Sequence, residues 1–302
     1  MKYNKPLRHI FCIDSLTKKE IRVIINRAGK FKKKKKVHAL LNKKIVGLIF
    51  LEPSTRTRIG FDVAIKKLGG MSTLIKETKY ESRMARPESL EDTVRVTSAY
   101  CDLLIIRHSN SDSLKQALEA SSVPVINAGS GHEHHPTQAL LDLFYIHNKL
   151  NRLEKLKIGL VGDLAGSRSA HSLVRALIHW PPSELRLMTP LGLGLPDDLI
   201  NLFSTKTVSY VEGLDTSGLD VLYMAGLPGI NGTRTCPKKV RSAFALTLDK
   251  ARKLPEKCII MCPLPRIDEI QHDVDSLHNS AYFTQSADGL FVRMAVLEYI
   301  FK

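Results

Sequence analysis

The sequence lacks most of the features that assign a function at sight. Cysteine is scarce: Cys12, Cys101, Cys236, Cys258 and Cys262 are odd in number, scattered, and form no Cys-x-x-Cys pair. That pattern argues against a disulfide framework and fits reduced thiols. Cys258 and Cys262 could form half of a metal site, but without further ligands at suitable spacing they read as small core hydrophobes. No metal and no cofactor is expected. No apolar run approaches the length needed to span a bilayer. The opening "MKYNKPLRHIFCIDS" is too polar for a signal peptide, so a cytoplasmic protein is expected. There is no internal repeat, low-complexity tract or Pro/Gly/Ser linker. Acid is the minority charge, with 30 Asp and Glu against 45 Lys and Arg, a net +15. The surplus includes "KFKKKKKVH" at 30–38, but no helix-turn-helix, RRM or zinc-finger pattern accompanies it. The run therefore reads as a solvated helix face, and the charge as attracting phosphorylated or carboxylated small substrates. A nucleic-acid role would rest on charge alone.

What is present is the composition of a soluble globular chain: 302 residues, 43% hydrophobic and 25% charged, enough for one large or two ordinary domains. Short apolar runs mark strands at 44–51, 71–76, 101–107, 123–127, 157–163, 184–189, 219–225 and 258–262. Helical patterns lie between them, around 55–68, 88–99, 112–120, 136–149, 168–179 and 197–203. Continuous apolar strands alternating with helices imply parallel sheets covered on both faces. The charged stretch "HNKLNRLEKLK" (147–157) separates two such series. The expected fold is α/β, two domains, each a parallel sheet flanked by helices, with the active site in the crevice between them.

The stretch "FLEPSTRTRIGF" (50–61) packs hydroxyls and guanidiniums between a strand and a helix. Ile59, Val63 and Leu68 can share a face of that helix, and Gly69-Gly70 ends it. Ser54, Thr55, Arg56 and Thr57 then sit at a helix N-terminus, where unpartnered N–H groups and the dipole favour an anion. Arg56 adds a fork suited to phosphate. Ser54 as a plain N-cap does not explain two arginines in one turn; a phosphate cradle without a Walker lysine does. Arg107 ends the strand "LLIIRHS", His135 and Gln138 open the helix of "GHEHHPTQALLDLF", and Arg168 opens that of "GLVGDLAGSRSAHSL". The histidines at 132, 134 and 135 lack convergent Cys or carboxylate ligands, and "VGDLAGS" lacks the G-x-G-x-x-G spacing of a dinucleotide loop.

At these residues the chain resembles the aspartate/ornithine carbamoyltransferase family. "STRTR", "SLEDTVRV", "LIIRHS", "HPTQ", "VGDLAGSRSAHSL", "DVLYM", "PLPRIDEI", "DVD" and "SADGLFVRMAVL" occur in family order over roughly residues 44–298. "HPTQ" with "PLPRIDEI" points to the aspartate branch. The resemblance implies transfer of the carbamoyl group of carbamoyl phosphate to the amino group of L-aspartate, a step of pyrimidine biosynthesis. It implies a carbamoyl-phosphate domain at 1–147, completed by a C-terminal helix at about 287–302, and an amino-acid domain at 148–286. Carried over by position, Ser54, Thr55, Arg56 and Thr57 hold the phosphate. Thr57, Arg107 and His135 face the carbonyl oxygen, Gln138 holds the carbamoyl amide, and Pro263 and Leu264 offer it backbone carbonyls. Arg168 binds the acceptor's α-carboxylate. The family is trimeric, and Ser82 and Arg86 would complete the site of a neighbouring subunit; a regulatory subunit is a further possible partner.

Two loops depart from the aspartate pattern. Arg86 stands where the family has lysine. Gly226 and Pro228 stand where the aspartate enzymes carry Arg-x-Gln to grip the side-chain carboxylate. A charged hydrogen bond is worth about 1.5–3 kcal/mol, so its loss alone weakens aspartate about ten- to a hundred-fold. Arg234, in the same loop, is the candidate replacement. An acceptor other than aspartate, or a silent paralogue, are the alternatives this loop raises. Cys262 stands where histidine is usual, a change that neighbouring backbone binding tolerates.

Overall fold

The structure, a computed structural model, describes residues 7–33, 39–75, 89–228 and 236–302. Ser82, Arg86 and Arg234 lie outside the described residues. The chain divides into two units, Met1–Leu140 with Gly289–Lys302, and Leu141–Asp288.

The first unit opens with α1 (Lys18–Lys33). A capping box starts it: Thr17 N donates to Glu20 Oε2 at 2.8 Å and Glu20 N to Thr17 Oγ1 at 3.3 Å. Ile21, Ile24, Ile25, Ala28 and Phe31 form its buried stripe, and Lys30, Lys32 and Lys33 stay in water on its last turn. Then follow β1 (Ile45–Phe50), α2 (Thr55–Lys67), β2 (Met71–Ile75), α3 (Leu90–Ser98), β3 (Leu103–His108), α4 (Ser111–Glu119), β4 (Val125–Ser130) and α5 (Pro136–Leu150). The strands pair in parallel in the order β2-β1-β3-β4. The runs read as strands are strands, with ends shifted by at most three residues.

The face of α2 differs from the expectation. Thr57, Phe61, Ala64 and Ile65 are buried, whereas Ile59 is 48% exposed. The stripe 57-61-64-65 obeys the helical period as well as 59-63 does, and it puts the larger Phe61 ring inside. The consequence is functional: Thr57 faces inward at the head of the helix. Gly69 (φ +81°) closes α2, its N–H donating to Lys66 O at 3.0 Å, a left-handed ending that only glycine takes without strain.

The second unit contains β5 (Lys157–Gly162), α6 (Arg168–Leu177), β6 (Glu184–Met188), α7 (Asp197–Ile200), β7 (Val208–Tyr210), β8 (Val221–Gly226), α8 (Lys238–Phe244), α9 (Leu248–Arg252) and β9 (Ile259–Met261). Its sheet is parallel throughout, in the order β7-β6-β5-β8-β9. Its core gathers Val161, Met188, Leu222, Met224, Ile260 and Tyr282 with Cys236, Cys258 and Cys262. Burial pushes the Cys258 thiol up to about 12, so it is an inert core group. The chain passes between the units inside α5 and inside α10 (Tyr282–Phe301). Among the described residues, no helix is long and apolar enough to cross a membrane.

Candidate active site

In the first unit, three adjacent parallel strands end at one sheet edge, where open α/β sheets bind ligands. β1 leads through Glu52 and Pro53 to Ser54, the extended N-cap of α2. Among the described residues the Ser54 side chain makes no capping hydrogen bond, so its hydroxyl does not consume the N–H groups it stands beside. Arg56 is exposed at this turn and Thr57 is buried. β3 delivers Arg107. Its Nη1 donates to Ala128 O at 3.2 Å and its Nε lies 3.2 Å from Glu52 Oε2.

Gly129 makes room for that guanidinium. It sits at φ +117°, and a Cβ there would lie 2.6 Å from Arg107 Nη1 and 3.3 Å from His135 Cδ2. Arg107 and His135 therefore flank the same glycine. The buried amide of Asn127 fixes the turn, accepting from Gly129 N at 2.8 Å and donating to Ser130 Oγ at 2.9 Å and Phe11 O at 2.8 Å. His135 directly precedes α5. Its carbonyl accepts from Gln138 N at 3.0 Å, and Thr137 Oγ1 lies 3.4 Å from its Nδ1. Both His135 and Gln138 are buried. The neighbouring histidines diverge: His132 is exposed, and His134 meets the Phe11 ring edge-on at 5.1 Å. Among the described residues no group of three His, Cys, Asp or Glu side chains could hold a metal ion.

The second unit repeats the device with β5, β8 and β9. Asp163 N donates to Gly226 O at 2.7 Å, which ties the ends of β5 and β8 together. Ser167 caps α6, accepting from Ala170 N at 3.2 Å, and Arg168 is the first residue of that helix. After β9 come Pro263 and Leu264. Leu264 has φ +57°, a left-handed conformation that costs a branched residue about 1–3 kcal/mol and is concentrated at ligand sites. Five residues after Leu264, Glu269 is 2% exposed. Its Oε2 accepts from Ile267 N at 2.9 Å, while Oε1 has no partner among the described residues. A Cβ at Gly226 would lie 3.8 Å from that Oε1.

Residues 8–148 match the aspartate/ornithine carbamoyltransferase carbamoyl-P binding domain, and residues 154–300 match the Asp/Orn binding domain of the same family. The chain belongs to the aspartate/ornithine carbamoyltransferase family. It is 38% identical over 308 residues to the aspartate carbamoyltransferase catalytic subunit of Methanocaldococcus jannaschii, covering 98% of each chain. It is 40% identical over 303 residues to the catalytic subunit of Archaeoglobus fulgidus, covering 97% of this chain and 99% of that one. Among solved structures, the M. jannaschii catalytic subunit superposes with a TM-score of 0.86 at 38% identity, covering 97% of this chain and 98% of that one. The Trypanosoma cruzi aspartate transcarbamoylase in complex with carbamoyl phosphate and aspartate gives 0.86 at 31% identity, covering 97% and 95%.

Several supports of these candidate residues escape a motif reading. In the second unit a buried chain of hydrogen bonds backs the 262–264 turn. Tyr223 OH donates to Asp142 Oδ2 at 3.0 Å, Gln285 Nε2 donates to Asp142 Oδ1 at 2.6 Å, and Gln285 Oε1 accepts from Cys262 N at 3.1 Å. Burial, reinforced by the Asp142 charge, pushes the Tyr223 hydroxyl well above its ordinary value, so it stays a donor. The available signal was a lone Asp in the apolar run "QALLDLFY". In the first unit, Gly129 and Glu52 carried no signal beyond their neighbours.

His171 holds the loop before Arg168, its Nε2 donating to Leu164 O at 2.7 Å. Burial lowers its affinity for a proton below the ordinary 6.5. The folded imidazole therefore resists protonation while the unfolded one accepts a proton at its usual value. The sign is that stability is full above pH 6.5 and declines as pH falls below it, toward the depressed folded value. Thermal midpoints measured from about pH 5 to 8 are expected to rise with pH, and to rise less in His171→Asn.

Proposed function

We propose that this carbamoyltransferase moves the carbamoyl group of carbamoyl phosphate to the amino group of L-aspartate, giving N-carbamoyl-L-aspartate and phosphate in pyrimidine biosynthesis. The observation that carries it is that, on the adjacent strands β1, β3 and β4 of one sheet, the Ser54–Thr57 helix head follows β1 while Arg107 and His135 flank Gly129. The amine nitrogen attacks the carbonyl carbon, and the carbon–oxygen bond to phosphate then breaks. The phosphate leaves with the electron pair and takes up the proton lost by the amine. Negative charge grows on the carbonyl oxygen, and Thr57, Arg107 and His135 are the donors assigned to it. Removing one such donor typically slows a reaction about 10²–10³-fold. A Thr137 hydroxyl donating to His135 Nδ1 leaves the ring proton on Nε2, the form that donates to an oxyanion. Ser54, Thr55 and Arg56 take the phosphate, and Gln138 with the carbonyls of Pro263 and Leu264 takes the carbamoyl amide.

Residues 1–147 with about 287–302 are assigned to the donor and 148–286 to the acceptor. Arg168 is assigned the α-carboxylate of aspartate. The buried Glu269 carboxylate near Gly226 would repel the acceptor's second carboxylate. A cation must come between them, and Arg234 is assigned that place. The Arg234→Ala variant is expected to raise KM for aspartate about ten- to a hundred-fold, leaving that for carbamoyl phosphate within about threefold, by steady-state kinetics. The working form is assigned as a cytoplasmic homotrimer, with Ser82 and Arg86 of each chain completing a neighbour's site and a regulatory subunit as a further partner. The test is phosphate release with a panel of amines. Release that requires both carbamoyl phosphate and L-aspartate supports the assignment; equal turnover with uncharged amines contradicts it.

A further inference from the structure

The last helix carries one arginine inside an otherwise apolar run, "GLFVRMAVLEYI". Arg293 is 7% exposed, and its Nε has no hydrogen-bond partner among the described residues. No acidic side chain of the described residues pairs with it. It lies against the Phe61 ring, whose centre is 5.6 Å from the guanidinium carbon, and against Gly60, where a Cβ would lie 2.7 Å from Nη1. Both belong to α2, whose buried face also carries Thr57. An isolated buried charge is among the most unfavourable things a core can hold unless something offsets it. Burial draws Arg293 down to about 10, which still leaves it charged at neutral pH. The ring face offsets part of the penalty. Among the described residues, the remaining imbalance is one positive charge without an acidic partner, on the inner side of the helix whose head is assigned to phosphate.

We propose that Arg293 is a positioning residue of the donor half: a cation with no acidic partner among the described residues, seated behind α2 through Gly60 and Phe61, that raises the positive potential at the Ser54–Thr57 cradle and so favours a bound phosphate dianion. This deepens the donor assignment above and rests on it. Gly60 lies five residues into α2, about 8 Å from its head at 1.5 Å per residue. At that range, through protein of effective dielectric about 20, one charge changes the affinity of a monoanion about thirty-fold and of a dianion more, and screening by water and salt at the exposed helix head reduces this to about tenfold. Gly60 is also explained, since any side chain there would push the guanidinium away.

The experiment is calorimetric titration of the full-length protein with carbamoyl phosphate, and separately with inorganic phosphate, on wild type, Arg293→Met and Arg293→Lys. Methionine keeps the apolar volume and removes the charge, whereas lysine keeps the charge. The expected result is about tenfold weaker binding of both anions in the Met variant, with affinity restored to within about threefold in the Lys variant. In kinetics the Met variant should raise KM for carbamoyl phosphate with kcat at saturation unchanged. Should Arg293→Met fail to fold, Gly60→Ala decides: alanine favours the helix, so the unfolding midpoint should hold while anion affinity falls. Anion affinity within twofold of wild type in either folded variant, or equal losses in Met and Lys, overturns the proposal. A wild type that binds neither anion would instead remove the donor assignment itself.

Discussion

Arg107→Ala is expected to lower kcat about 10²–10³-fold, with KM for carbamoyl phosphate also raised. Arg107 sits where β3 ends and is aligned by a hydrogen bond to Ala128 O and an ion pair with Glu52, so its fork is oriented before substrate arrives. A donor already oriented needs no rearrangement as charge builds on the carbonyl oxygen, and that is why its loss is felt in kcat. Gly129→Ala supplies an independent check, because it removes none of the proposed ligand side chains. The new methyl would lie 2.6 Å from Arg107 Nη1, on a backbone at φ +117° that alanine adopts only under strain. Either the guanidinium moves or the turn does. Steady-state kinetics should show a kcat loss of the same order as for Arg107→Ala; a Gly129→Ala enzyme within threefold of wild type would mean that Arg107 does not act from this position.

The largest stability effect is expected at Gly162. Its φ is +118°, and a Cβ there would fall 2.1 Å from the carbonyl oxygen of Gly226. The obstacle is backbone on the neighbouring strand, not the tip of a side chain, so nothing nearby can swing aside. Overpacking of this kind with left-handed strain costs about 3 kcal/mol or more. Gly162→Ala should therefore lower the urea midpoint sharply, and any folded fraction should show a raised KM for aspartate, since the displaced segment carries Asp163 toward Arg168. An unchanged midpoint would show that the ends of β5 and β8 are not packed as described.

Much of this arrangement was legible in the sequence. β1, β3, β4, β5 and β8 read as apolar runs because parallel strands are covered on both faces, and Ser54, Arg107, His135 and Arg168 stand at strand-to-helix junctions. β7 was not legible: Val208–Tyr210 is short and part-exposed, without a continuous apolar signal. Neither were α8 and α9, whose seven and five residues are too few for a helical period to show. The face of α2 was misjudged because two stripes fit the same spacing and only packing chooses between them. The side chains that position others were the hardest to see. Asp142 and Arg293 appear in sequence as single charges interrupting apolar helices, and such an interruption says that something must satisfy the charge without saying what. Gly129 and Gly162 are ordinary glycines until their φ values and close neighbours are known.

The most direct test is calorimetry of wild type and Arg56→Ala with a non-hydrolysable phosphonate analogue of carbamoyl phosphate, in the absence of aspartate. Saturable binding at one site per chain, weakened about ten- to a hundred-fold by the single substitution, is the expected result. Absence of binding to the wild type at millimolar ligand, or undiminished binding to Arg56→Ala, would contradict the assignment of the α2 head as the phosphate cradle.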